Sequence, residues 1–389
     1  IFAAIGALLL FFRNAPETIN DTRPGTFPTG GEVGDNVFGG SKDGDDENIS
    51  SGDAGSLIQL TKNAVSGAAV YKDSVRYVER ATGHIYSIDL DGRNPMRISN
   101  TTFLKSFESY WSLGADKLAI RYFEDPDSIF GRLVVNYFLA SIADLVETAG
   151  DPIATTTELK GVFLPQTVSA IVVSPAEDKV FYLSSSGGIT NGVTADFENK
   201  KQKNIFELSF GEFNVAWPSK DIIALLTKPS ATVDGYLYFL NPSTKSFKRI
   251  MGGINGLTTT VSPKGDKIIY SQSANKSFKT KIFDVKQKTS EDFTFAALPE
   301  KCVWGKEGSD MIYCAVAEAR PAADYPDEWY QGVISFNDAI WSKDFSTGET
   351  KLLTEKFGAD MINLFLSEGE DYLFFTNKKD GTLWSLKLR

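Results

Sequence analysis

The sequence predicts an all-β protein whose main body is a seven-bladed β-propeller. Three observations support this prediction: a motif that occurs seven times, strand-like alternation after each copy, and turn residues before it. A chain of 389 residues is long enough for one large all-β domain. A fixed repeat period of this kind decides the architecture before any single motif does.

The repeated motif is an aspartate, followed two residues later by Val, Ile or Leu and four residues later by an aromatic, aliphatic or Cys residue. Period-two alternation indicates a strand, and the turn-forming residues before the aspartate indicate a hairpin. Because each aspartate lies about one blade from the next, we expect turn residues rather than a convergent site. The copies are Asp73, Asp116, Asp178, Asp221, Asp266, Asp310 and Asp371.

The spacing of the copies gives the size of the repeating unit. Four of the six intervals are 43 to 45 residues, which is typical of a four-stranded propeller blade. The other two are 62 and 61 residues, so blades 2 and 6 are predicted to carry insertions. Blade 1 shows the plan most clearly, with strands expected at 68–71, 75–79, 84–90 and 96–99.

The last blade lacks its outer strand, because only two strands, at 372–376 and 382–388, fit between Asp371 and the end of the sequence. Residues 57–61 resemble the outer strands of other blades and come just before blade 1. We therefore expect this N-terminal strand to close the ring, which would also remove an exposed sheet edge.

Several segments resemble the TolB-type, WD-like propeller repeats of bacterial envelope proteins. They are the Leu-Thr pairs that close the blades, the stretch 85–92, Trp111-Ser112, Ser174-Pro175 and Ser262-Pro263-Lys264-Gly265. The resemblance covers residues 56–389 and implies the fold, but it says little about function. Seven blades and irregular turns depart from the family pattern, so the family's Tol-Pal role is not carried over.

The N-terminal residues 1–13 are predicted to be part of a transmembrane anchor. Twelve apolar residues precede Arg13, whereas a full span needs about 20. Because the sequence opens on Ile1 rather than Met, we expect the rest of the span to lie upstream. A cleaved signal peptide is the other possibility, although no convincing cleavage site follows. Both interpretations place the body outside the cytoplasm, in the periplasm or at the cell surface.

Residues 14–55 are predicted to be a flexible, acidic, Gly-rich linker. They hold nine acidic residues against two basic ones and almost no large apolar side chains. Such a stretch cannot bury enough apolar surface to offset its ordering entropy. The propeller domain is expected to follow at residues 56–389.

Charge and histidine content exclude several classes of function. The net charge of -10 and a pI near 4.9 argue against a nucleic-acid partner, which needs a basic surface. His84 is the only histidine, so His-rich metal sites are impossible and a catalytic relay has one candidate base. We expect no metal, no cofactor and no catalytic residue, and we interpret His84 as a surface residue.

The insertion in blade 6 is the best candidate for a binding site. It places rigid aromatic side chains on a loop outside the repeat, and interfaces are enriched in such residues. An equally weighted alternative is a loop that folds back and packs on a blade. The predicted partner-binding residues are Tyr325, Pro326, Trp329 and Tyr330.

Cys302 and Cys314 fall on the first two strands of blade 6, at positions that face each other across the hairpin. Opposed residues of antiparallel strands meet the spacing of a disulfide, and an exported protein can form one. We favour a structural disulfide over two reduced, buried cysteines.

Together these features predict a membrane-tethered, extracytoplasmic propeller that binds protein or cell-envelope partners without catalysis. The alternative is a propeller enzyme that acts on glycans through carboxylates in the central funnel, since residues of different blades converge only in three dimensions. A passive spacer is a third possibility. Close carboxylates with shifted pKa values in the funnel would favour the enzyme, and an apolar plug would exclude it.

Overall fold

The computed structural model describes residues 55–124, 134–142, 158–209, 211–306 and 308–389. In these ranges the chain forms seven antiparallel sheets of four strands each. The predicted seven-bladed propeller is therefore confirmed.

Each blade has four neighbouring strands, A to D, of which A is the innermost. The first strand, β1 at Leu57–Gln59, is strand D of blade 7. Blades 1 to 3 consist of β2 Val65–Tyr71, β3 Ser74–Glu79, β4 Ile85–Asp89, β5 Met96–Arg97, β6 Ser106–Trp111, β7 Lys117–Glu124, β8 Val134–Ser141, β9 Lys160–Phe163, β10 Val168–Val173, β11 Lys179–Ser186, β12 Ile189–Asp196 and β13 Lys203–Leu208. Blades 4 to 7 consist of β14 Phe213–Ser219, β15 Ile222–Thr227, β16 Asp234–Leu240, β17 Phe247–Asn255, β18 Thr258–Val261, β19 Lys267–Ala274, β20 Ser277–Asp284, β21 Thr289–Asp292, β22 Cys302–Trp304, β23 Met311–Ala317, β24 Asp338–Asp344, β25 Thr350–Thr354, β26 Met361–Leu366, β27 Tyr372–Asn377 and β28 Leu383–Lys387.

The ring closes through the N-terminal strand, as expected. β1 pairs antiparallel with β28, with Leu57 opposite Leu386. Beyond the paired residues, the Leu60 amide donates to the Leu383 carbonyl at 2.8 Å, and the Leu383 amide donates to Thr61 Oγ1 at 2.9 Å. The two ends of the propeller thus hold each other in one sheet.

The core is divided among the blade interfaces. One cluster of buried apolar side chains lies between each pair of adjacent blades, including blades 7 and 1, where Phe374 and Leu383 pack with Val75 and Ile88. Middle strands contribute to two interfaces, because their successive side chains point to opposite, equally buried faces.

All seven repeated aspartates lie in the turn between strands A and B, and two of them are bonded there in the same way. Ser262 Oγ donates to Asp266 at 2.7 Å and accepts from the Lys267 amide at 3.1 Å, and Ser112 with Asp116 repeats this geometry. The repeat is therefore a turn-forming device, as the sequence predicts.

The predicted anchor, the linker and most of the extra residues of blade 2 lie outside the described residues. Among the described residues no helix is long and apolar enough to cross a membrane.

The predicted disulfide is present. Cys302 and Cys314 are directly opposed across β22 and β23, their Cα atoms lie 4.1 Å apart, and their sulfur atoms are bonded. Both residues belong to the apolar cluster between blades 5 and 6, so the bond ties an inner strand to its neighbour inside the core.

Removing this bond with C302S/C314S should lower the free energy of unfolding by about 2–3 kcal/mol, because a loop of 12 residues is no longer closed in the unfolded chain. Urea titration of the parent and the variant, each with and without reductant, would measure it. Reductant should weaken only the parent, and equal stability of oxidised parent and variant would contradict the prediction.

Candidate functional site

The blade 6 insertion lies on one defined side of the ring. Connections from strand B to C and from D to the next A lie on this side, which we call the loop face, and the other connections form the turn face. The insertion spans residues 318–337 between β23 and β24, and it contains one short helix, α1, at Asp327–Tyr330. It is therefore part of the loop face.

The insertion extends sideways over neighbouring blades. On blade 5, the Ala323 amide donates to the Lys276 carbonyl at 2.9 Å. On blade 4, the Ala231 amide donates to Asp327 Oδ2 at 2.6 Å. On blade 7, Lys378 Nζ donates to the Trp329 carbonyl at 2.8 Å. The insertion thus crosses the loop face of blades 4 to 7.

Gly256 provides the space for this crossing. It lies between blades 4 and 5 with φ of 62°, a left-handed conformation that favours glycine. A Cβ atom at this position would lie 2.6 Å from the Tyr325 carbonyl oxygen and 2.5 Å from Ser273 Cβ. Only a residue without a side chain lets the insertion approach this closely.

The four predicted partner-binding residues are not all at the surface. Tyr325 is 1% exposed, Trp329 3%, and Pro326 is also buried, whereas Tyr330 is 42% exposed. Tyr325 and Trp329 pack with Phe336 in a separate apolar cluster under the insertion. Three of the four residues are therefore packed against the propeller, as in the alternative interpretation of the insertion. Partner binding by this loop stays a prediction.

A buried ion cluster holds the insertion down. Lys301 is 1% exposed, and its Nζ lies 2.7 Å from Asp338 Oδ2, 2.5 Å from Asp360 Oδ1 and 2.9 Å from the Met361 carbonyl oxygen. Trp329 Nε1 donates to Asp360 Oδ2 at 3.0 Å. Lys301 lies just before blade 6, Asp360 just before blade 7, and Asp338 is the first residue of β24. The three charged groups thus connect the insertion to the starts of blades 6 and 7.

The pKa values of the two aspartates in this cluster are shifted in opposite directions. Burial raises the pKa of Asp338, whose Oδ1 has no hydrogen-bond partner among the described residues. Burial also acts on Asp360, but Lys301 and donors that include the Phe336 amide outweigh it, so the pKa of Asp360 is lowered. Both carboxylates contact Lys301, and Asp360 accepts further hydrogen bonds from Trp329, Ser335 and the Phe336 amide, which favour its charged form.

Below the insertion, the inner strands of blades 4 to 7 enclose part of the central channel. The cavity has a volume of about 600 Å³. Its described lining is Asn214, Val215, Ala216, Trp217, Pro218, Ala224, Leu226, Thr259, Thr260, Val261, Pro263, Glu300, Cys302, Val303, Trp304 and Leu364. Apolar groups, neutral polar groups and the carboxyl of Glu300 therefore share the described lining of this part of the channel.

Glu300 and Tyr330 meet beside this cavity. The Tyr330 hydroxyl donates to Glu300 Oε1, and Glu300 Oε2 is buried without a hydrogen-bond partner in the described structure. Burial raises the pKa of Glu300 against the opposing effect of the Tyr330 hydrogen bond. Burial and the Glu300 charge raise the pKa of Tyr330. The pair therefore places one acidic group of raised pKa where the insertion meets the channel.

His84 is distant from this site in the chain and lies in a connection of blade 1. Its Nε2 lies 3.1 Å from Thr102 Oγ1. The partner of the imidazole is therefore a hydroxyl group and not the carboxylate that orients the histidine of a catalytic relay. Burial and Arg97 lower its pKa. These contacts fit the interpretation of His84 as a surface residue.

Large exposed apolar residues are concentrated on the loop face. Of nine such residues in the described chain, Leu113 is on the turn face, and Met96 and Phe163 are on outer strands. The other six lie at the loop face: Ile189 is the first residue of β12, and five are in connections, namely Leu104, Val233, Tyr330, Val333 and Phe357.

The sequence does not single out the charged residues of the site. Glu300 and Lys301 follow an apolar run and precede β22, which gives one usable signal, since charges amid apolar residues need partners when buried. Asp338 and Asp360 carry no such signal, because they form ion pairs with Lys301 from positions far away in the sequence.

Fold and site together define a seven-bladed β-propeller whose loop face carries a packed insertion above the channel. The chain resembles, at 13% identity and a TM-score of 0.53, the β-propeller domain of the Trilobed protease from Pyrococcus furiosus, with 83% of this chain and 95% of that one covered. It resembles the propeller domain of Myceliophteria thermophila Cps50 (Swd1) at 9% identity and a TM-score of 0.52, with coverage of 86% and 100%. These likenesses show the fold alone.

TolB from Acinetobacter baumannii is also among the similar structures, with 14% identity and a TM-score of 0.42. The match covers 79% of this chain and 60% of the TolB chain. No protein-family model and no curated protein matches the sequence.

Replacing Lys301 by Met should lower the free energy of unfolding by about 3–5 kcal/mol, because two carboxylates would stay buried without their cation. Lys264→Met is the matched control, since the exposed Lys264–Asp310 pair at 3.1 Å contributes less than about 1 kcal/mol. Denaturant unfolding of both variants measures the difference. Similar losses of unfolding free energy in the two variants would contradict the prediction, because the buried ion pairs would then contribute no more than an exposed one.

Glu300→Gln should stabilise the protein increasingly as pH rises. The native state holds the Glu300 proton more tightly than the unfolded chain, so native Glu300 contributes a stability that falls as pH rises above the unfolded pKa, about 4.3. The glutamine does not titrate. Unfolding free energies of parent and variant at about pH 5 and about pH 8 test this, and a difference that does not change with pH would refute it.

Proposed function

We propose that this protein is a membrane-tethered, extracytoplasmic propeller that binds a protein or cell-envelope partner and does not catalyse a reaction. The partner would dock on the loop face. The observation that carries the proposal is the concentration of exposed apolar side chains there, with six of the nine in the described chain. Exposed apolar groups grouped on one face are typical of interaction surfaces.

The insertion supports a rigid surface at this place. It is held by hydrogen bonds to blades 4, 5 and 7 and by the buried Lys301 cluster. A surface fixed in this way loses little conformational entropy on binding. Tyr330 and Val333 are the exposed apolar residues of the insertion, and Val233 lies on the blade 4 connection that contacts it.

The proposed location outside the cytoplasm rests on two features. Residues 1–13, which are apolar up to Arg13, and the acidic residues 14–55 fit an anchor followed by a tether on the translocated side. The Cys302–Cys314 disulfide fits an oxidising compartment.

The glycan-hydrolysing or glycan-cleaving enzyme is the second candidate, and Glu300 is the observation that favours it. Such enzymes use two carboxylates on either side of the scissile bond. Among the described residues that line the cavity, Glu300 is the one carboxylate, and the nearby pair Asp338 and Asp360 is occupied by Lys301 away from solvent. This arrangement supports the binding module over the enzyme.

The test is capture of a partner from envelope extracts by the immobilised full chain. V233D/V333D should reduce the captured partner by about tenfold or more, because charges in an apolar contact are desolvated without partners. Leu113→Asp is the matched control, since Leu113 is equally exposed but lies on the turn face. Equal thermal unfolding of all three proteins would exclude a folding defect.

Loss of one defined partner in V233D/V333D alone, identified by mass spectrometry, would support the proposal. Loss in both variants, or in neither, would contradict docking on the loop face. Turnover of envelope glycans by the parent that Glu300→Gln abolishes would favour the enzyme instead.

A further inference from the structure

The channel cavity carries an unusual distribution of charge. Among its described lining residues, Glu300 is the one ionisable side chain, because Cys302 is bound in the disulfide. The neutral polar groups are those of Asn214, Thr259 and Thr260, together with the indole nitrogens. No lysine or arginine belongs to this described lining.

Lys301 and Lys378 form no ion pair with Glu300 in the described structure, although the Lys301 charge acts to lower the Glu300 pKa. Lys301 Nζ has three acceptors within 2.9 Å, none of them on Glu300, and two are carboxylates. Lys378 donates to the Trp329 carbonyl at 2.8 Å, and burial lowers its pKa. Both lysines are thus committed to other acceptors.

The Glu300 carboxylate is also incompletely hydrogen-bonded. Oε1 accepts from Tyr330, and Oε2 has no partner among the described residues. The Thr258 hydroxyl helps to lower the Glu300 pKa, but it is paired with Ser271 Oγ at 2.8 Å. A buried carboxylate oxygen without a donor is costly, so a ligand that supplies one would be stabilised there.

Aromatic side chains complete the lining. Trp217 and Trp304 belong to the lining of the same cavity as Glu300, and they also pack in the apolar clusters of the adjoining blade interfaces. Tryptophan rings attract ammonium and guanidinium groups, and their apolar surface accommodates an alkyl chain. An anion, in contrast, would meet the uncompensated carboxylate and no base among the described lining residues.

We propose that the channel cavity is a binding site for an organic cation, an alkylammonium or guanidinium group, with Glu300 as its counter-ion and the apolar part of the lining around its alkyl chain. This goes beyond the proposed function, because the cavity would take a free amine without any docked protein. Tyr330 is the internal competitor: its hydroxyl must leave Glu300 Oε1 before the cation takes that position, and the residue as a whole is 42% exposed.

Binding of n-butylammonium to the full chain, followed by calorimetry and by NMR of carboxyl-labelled glutamate, tests the site. Glu300→Gln should weaken binding by about tenfold or more, since it removes the charge-assisted bond. Tyr330→Phe should strengthen binding several-fold, because the competing hydroxyl is lost while the ring that contacts Trp329 is kept. Glu355→Gln, an exposed acid on the same face, should leave affinity unchanged.

The opposite effects of the two site variants separate this proposal from a merely structural role of the pair. It would be overturned if Glu300→Gln bound butylammonium as the parent does, if 1-butanol bound equally well, or if Tyr330→Phe weakened binding. A parallel titration with spermidine and with a capped peptide containing one lysine identifies the natural source of the cation, and tighter binding of either supports the site. Because no partner protein is present, failure here leaves docking on the loop face intact.

Discussion

Each blade of this propeller has two apolar faces, and each face is buried only while the neighbouring blade is in place. Phe374 and Val75 illustrate the constraint, since they join the last blade to the first across the whole length of the domain. The pairing of β1 with β28 fixes that last interface through main-chain hydrogen bonds. Closure of the ring therefore completes the core, because the cluster between blades 7 and 1 is buried only when the two ends of the domain meet.

On this rigid ring the blade 6 insertion is the main departure from the repeat. It is held by polar contacts at its edges and by an apolar cluster beneath it. Next to this cluster, Lys301 forms buried ion pairs with Asp338 and Asp360. Buried ion pairs seldom add net stability, but they penalise arrangements that separate them. The cluster thus favours one position of the insertion, and this position brings Tyr330 to Glu300.

The same arrangement links the two proposed activities in space. The outer surface of the insertion contributes Tyr330 and Val333 to the apolar loop face, and Tyr330 also contacts the carboxylate that borders the channel. A partner on the loop face and a cation in the channel would both touch this one residue. Binding at either place would then alter binding at the other through the freedom of the Tyr330 side chain.

The sequence by itself determined the blades, the closing strand and the disulfide, because each depends on local alternation or on register within one hairpin. Period-two patterns locate β3 and β27, and hairpin symmetry pairs Cys302 with Cys314. Only the tertiary structure decided which aromatic residues of the insertion are buried, since Trp329 contacts Asp360 of another connection and Phe336 at the far end of the insertion. The Glu300 site was equally hidden, because its charge balance depends on groups from several blades and the insertion, which no local pattern brings together.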